Sequence, residues 1–108
     1  MTNQQQPAAR GWAEAMPFLA DLTDNLLFGQ IWERPELSKR DRSMITVAVL
    51  TALYRTDQLR NHMIRALNNG VTEEELTEII THVTFYAGWP VGANAAGLVK
   101  EVLDARKK

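Results

Sequence analysis

The sequence contains no cysteine. Disulfides, thiolate metal sites and a cysteine nucleophile are therefore excluded. Its two histidines, His62 and His82, stand far apart in the chain, with no HExxH and no matching carboxylate spacing. No metal site is expected from them. There is no phosphate-binding glycine loop and no GxSxG. Basic residues do not outnumber acidic ones: 12 Lys and Arg stand against 13 Asp and Glu, for a net charge of -1. Nothing in that balance favours nucleic acid or an anionic membrane as a partner. The most apolar stretch, Met44 to Tyr54, contains two threonines and is too short to span a bilayer. The opening MTNQQQPAARGW has neither the charged start nor the apolar stretch of a secretory signal. A soluble cytoplasmic protein is expected. Nothing alternates with period two over a useful length, so no sheet is expected either.

What is present points to helices. The chain has 108 residues, 45% of them apolar, as in a globular protein. One domain over residues 1–108 is expected, with residues 1–10 polar and loose. A core this small gains from oligomerisation. Residues 17–28 read as a first helix, with Pro17 near its start and Phe18, Leu19, Leu22 and Leu26 on one side. Ser38 and Asp41 form a weak capping box for a second helix over about 39–54. Its middle is apolar on every side, which predicts a helix buried all round. One short chain struggles to surround such a helix, and a partner subunit is the economical explanation. A third helix covers about 57–69, with Gly70 suited to the left-handed residue beyond its end. Thr72 and Glu75 make a capping box for a fourth, about 73–87, with Leu76, Ile79, Ile80, Val83 and Ala87 as its core stripe. Pro90 opens a fifth, about 90–106, whose small residues allow close packing.

Several side chains carry chemistry. His62 lies on the apolar stripe of the third helix with Leu59, Met63, Ala66 and Leu67. It is either a hydrogen-bonded core residue or a proton donor or acceptor near neutral pH. Arg55 and Gln58 share its flank and also suit a solvated edge. His82 lies beside the core stripe of the fourth helix, between Glu78 one turn before it and Tyr86 one turn after. Arg34, Lys39, Arg40 and Arg42 cluster where the second helix begins, against the preference of the helix dipole for acidic residues. The cluster suits binding a carboxylate, or pairing with Glu33, Glu36 and Asp41.

Three stretches, FGQIWERPELSKRDRSMITVAVLTAL, HMIRALNNGVTEEELTEIITH and YAGWPVGANAA, together resemble the carboxymuconolactone decarboxylase family. The resemblance implies an all-α, alkylhydroperoxidase D-like bundle of five or six helices, assembling into a ring, a trimer or hexamer. The wider superfamily includes enzymes with CxxC one turn before a histidine and a glycine eight residues after it. His62 and Gly70 keep that spacing, but the cysteine positions fall on Arg55 and Gln58, and the upstream carboxylate falls near Ser43. Thiol peroxidase chemistry is thereby excluded. The chain resembles the cysteine-free branch, whose named member decarboxylates 4-carboxymuconolactone in aromatic-acid catabolism.

That resemblance implies a lyase acting on 4-carboxymuconolactone or a related small unsaturated lactone acid, with no cofactor. On residue chemistry, His62 is expected to protonate carbon, with His82 and Tyr86 stabilising the lactone or ordering a water, so that His62, His82 and Tyr86 form the catalytic set. Arg40, Arg42 and Arg55 are the candidates for binding substrate. Two alternatives stay open: a non-catalytic member that binds a small acidic metabolite, and an oligomeric structural or interaction protein. Another cofactor-free lyase or isomerase is a third.

Overall fold

The computed structural model describes residues 7–107, which form two compact units divided after Ser38. The sequence reading leads to one domain; by their contacts the described residues fall to either side of Ser38, in the units Met1–Ser38 and Lys39–Lys108. Of the residues expected to be loose, 1–6 lie outside the described residues, whereas Pro7 to Arg10 belong to a 3-10 helix, Pro7–Glu14. Helix α1, Pro17–Leu22, then begins with Pro17 in its first turn, where a missing N–H costs nothing. It does not stop as expected. The backbone stays helical and widens into a π-helical segment, Thr23–Ile31. The Trp32 N–H reaches back to the Leu27 carbonyl at 2.9 Å, and the Phe28 and Trp32 rings pack 5.8 Å apart.

The second unit is a four-helix arrangement: α2 (Lys39–Ala52), α3 (Thr56–Asn68), α4 (Glu73–Ala87) and α5 (Trp89–Arg106). No strand occurs among the described residues. Each helix ends for a local reason. Beyond α2 the chain turns through Tyr54 at φ 62°, and the Arg55 N–H closes onto the Leu50 carbonyl at 2.9 Å. Gly70 takes φ 102° beyond α3, as its position predicts. Thr72 and Glu75 form the reciprocal capping box of α4, with bonds of 2.9 and 3.0 Å. Gly88 joins α4 to α5, which carries Pro90 in its first turn.

The core is built from the inner stripes of all four: Val47 on α2, Leu59, Met63 and Ala66 on α3, Leu76 and Ile80 on α4, and Ala95, Val99 and Val102 on α5, with Val71 at the turn. The α4–α5 crossing is close at Gly92. A Cβ on Gly92 would lie 1.9 Å from the Thr84 hydroxyl oxygen, so only glycine lets these helices approach so closely.

The expectation for α2 is burial all round with a partner subunit's help; within the single chain, one side of α2 is covered. Ser43, Val47 and Thr51 are covered, but Ile45, Val49 and Leu53 are 51%, 46% and 57% exposed. The three other helices of this unit cover one side of α2 and leave the other exposed.

The pairing of ends fixes the directions. Asn69, at the end of α3, bonds Ser43 near the start of α2 at 3.0 Å, so α2 and α3 are antiparallel. Arg60 meets Glu101 and Asn68 meets Arg106, so α3 and α5 run the same way. Arg40 meets Glu75, and α2 and α4 likewise run side by side in one direction.

Candidate functional site

Between α2 and α4 runs an open groove of about 460 Å³. Met44, Ile45 and Ala48 line it from α2, and Ile79 and Val83 from α4. The polar groups reaching it are Glu75, Glu78 and His82, all from α4. The helical repeat produces this edge: 75, 78, 79, 82 and 83 return to one side of a 3.6-residue helix, and 44, 45 and 48 do the same on α2.

His82 is exposed at the edge of this groove, and the Tyr86 ring stacks on it with centroids 4.9 Å apart and planes at 29°. Tyr86 is itself 82% exposed. Glu75 holds the start of the groove. Its carboxylate accepts from the Thr72 backbone N–H and from Arg40 NH2, and both contacts hold it below the usual carboxylate range. Arg40 NH1 also faces Asp41 at 3.4 Å. Of the basic cluster, Arg40 thus lies between two carboxylates, and Arg34 pairs with Glu36 at 3.7 Å. The pairing reading of this cluster holds for these two arginines.

His62 does not line the groove. It sits half-buried on α3, one turn from Arg65. Burial, followed by the Arg65 charge, pushes its pKa down to about 4. Burial lowers the pKa of Arg65 as well. At neutral pH His62 is then an uncharged imidazole, able to donate or accept a hydrogen bond, and its remaining N–H is too weakly acidic to be a useful proton donor. Its expected role as proton donor conflicts with that environment. The signal for this was legible one turn away, because Arg65 falls on the same side of α3, yet it was not among the residues singled out. Arg42 is partly buried on α2, with its carbonyl accepting from the Thr46 hydroxyl at 2.8 Å. Arg55 is exposed at the N-cap of α3. Ser43 is buried and tied to Asn69. Among the described residues no group of three or more His, Asp or Glu is placed to hold a metal, and no helix is long and apolar enough to cross a membrane.

The model of the carboxymuconolactone decarboxylase family matches residues 17–101. The chain belongs to that family. The match includes the stretches on which the resemblance rests and extends beyond them to α1 and most of α5. Two characterised relatives are similar. The 4-carboxymuconolactone decarboxylase of Acinetobacter baylyi is 47% identical over 75 residues, which are 69% of this chain and 56% of that protein. The nitrosuccinic acid decarboxylase of Metarhizium robertsii is 34% identical over 70 residues, 65% of this chain and 49% of that protein. The chain spans about half the length of the curated relatives it matches. Within the carboxymuconolactone decarboxylase family, the groove and its histidine fall inside the matched segment.

Proposed function

We propose that this chain is a cofactor-independent decarboxylase acting on a small unsaturated lactone acid, of which 4-carboxymuconolactone is the model. The supporting observation is the apolar groove between α2 and α4 with an exposed histidine at its edge, in a family member similar to two named decarboxylases.

Loss of CO2 leaves an electron pair on carbon, which the conjugated lactone spreads toward its oxygen. The protein has three tasks: to orient the carboxylate, to stabilise the charge growing on the lactone, and to deliver a proton to carbon. An apolar wall removes water from the reacting carboxylate and strengthens nearby dipoles. His82 is the proton donor in this scheme, displacing His62, because it meets the groove and is open to solvent for reprotonation. Tyr86 holds the imidazole in place by stacking and brings a phenol alongside. His62, kept neutral, serves as a fixed dipole in the α3 layer.

Incubating the full chain with a panel of unsaturated lactone acids, and following CO2 release and the product by NMR in D2O, tests the reading. One new carbon–deuterium bond per CO2 is expected. Absence of CO2 from every member of the panel would refute it, and binding without turnover would favour a metabolite-binding role.

A further inference from the structure

The polar groups at the groove are not equally engaged. The Glu75 carboxylate is committed to the fold, accepting from the Thr72 N–H and from Arg40. Arg40 in turn also faces Asp41 at 3.4 Å. The His82 ring is stacked against Tyr86. Glu78 is exposed, and its carboxylate takes part in no hydrogen bond or ion pair among the described residues. It lines the groove all the same, one turn before His82, and no Lys or Arg lines the groove with it.

Capping accounts for Glu75; no such use accounts for Glu78. Its position bears on any acid that enters. Residues four apart on a helix hold their Cβ atoms about 5–6 Å from each other, which sets the spacing of Glu78 and His82. No bond joins the two side chains. A small lactone acid lying on Ile45, Ile79 and Val83 is long enough to touch both.

Such an acid can lie two ways. With its carboxylate at His82 it is held by attraction, and the proton donor faces oxygen rather than carbon. With its carboxylate at Glu78, like charges meet and the lactone lies at His82. Decarboxylation from this second pose moves charge in the favourable direction. The bond between the ring carbon and the carboxylate carbon breaks, and CO2 leaves uncharged. The electron pair passes into the conjugated lactone, and His82 gives a proton to carbon. Negative charge thus leaves Glu78 and arrives beside His82. Repulsion felt by the bound acid is relieved in the transition state, which is the condition for it to raise kcat rather than only weaken binding. Contact between the apolar body of the acid and the groove wall offsets the repulsion on binding.

We propose that Glu78 is a further catalytic residue, whose unpaired carboxylate lies against the substrate carboxylate and drives the loss of CO2 by repulsion, a role that rests on the decarboxylase reading.

The test compares the full wild-type chain with Glu78→Gln, which removes the charge and keeps the shape at an exposed position. Two measurements are made: steady-state kinetics with 4-carboxymuconolactone, and equilibrium binding of a saturated lactone acid and of its methyl ester. The saturated acid cannot delocalise the electron pair, so it binds without losing CO2. In Glu78→Gln, kcat and KM are expected to fall together by about tenfold, leaving kcat/KM little changed. The saturated acid should bind about tenfold more tightly and the uncharged ester as before. A lower KM with kcat unchanged would overturn the proposal, because Glu78 would then repel substrate and transition state alike. A lower kcat with KM and acid binding unchanged would overturn it too, because Glu78 would then act through His82. No change in either constant would likewise overturn it. In these three cases turnover by the wild type leaves the decarboxylase reading standing. Absence of turnover by the wild type overturns that reading, and the catalytic role of Glu78 with it.

Discussion

Gly92 and Thr84 show how much a single methyl group matters in this molecule. A Cβ on Gly92 would sit 1.9 Å from Thr84 Oγ1 and 2.8 Å from its Cβ, and the Thr84 hydroxyl is itself held by the Ile80 carbonyl at 2.7 Å. Neither side can yield without moving a helix. Gly92→Ala should therefore cost about 1–3 kcal/mol in urea unfolding, the usual penalty of overpacking, and adding Thr84→Ala should recover much of it. His62 makes a second prediction at this scale. Its pKa is about 4 in the folded chain, against an ordinary value of 6.5. The unfolded chain therefore binds a proton between those values that the folded chain refuses. Stability should be fullest above pH 6.5 and fall as pH drops toward 4, by about 3 kcal/mol in all. Unfolding free energies of wild type and His62→Gln, measured across that window, should diverge by this amount. Parallel curves would show that burial of His62 has no such effect. The sequence places His62 on the correct stripe but not its charge state, which depends on how deeply α3 packs and on Arg65 one turn away.

The helices of the second unit were legible because their ends are chemically marked. Thr72 and Glu75 close the start of α4 with two reciprocal bonds, and Gly70 and Gly88 take the positive φ values that their positions require. Thr72→Ala should lose about 1 kcal/mol, read from the urea midpoint, because it leaves the Glu75 N–H without its acceptor. Glu75→Gln keeps a side chain able to cap, so its effect should be smaller, and the difference separates the cap from the contact with Arg40. The element without such marks was misread: the π-helical segment Thr23–Ile31 follows α1 with no proline or change of pattern to announce it. On α2, the apolar middle is covered on one side within its unit, while Ile45 and Val49 on the other stay exposed.

At the scale of the molecule, the candidate site is a property of two helices brought side by side rather than of any motif. His82 and Tyr86 were singled out by spacing, and they do form a stacked pair, but the groove beside them exists only because the α2–α3 and α4–α5 hairpins pack in parallel. The same packing separates His62 from the groove lining and places Arg40 against Glu75. The apolar face flanking the groove follows from the same arrangement. The most direct measurement is CO2 release from 4-carboxymuconolactone by the full-length chain and by His82→Gln, compared as kcat and KM. Turnover by the wild type is expected, with kcat about 10² to 10⁴ lower in the variant and KM little changed, as befits loss of a proton donor. No release by the wild type, or full kcat in His82→Gln, would contradict it.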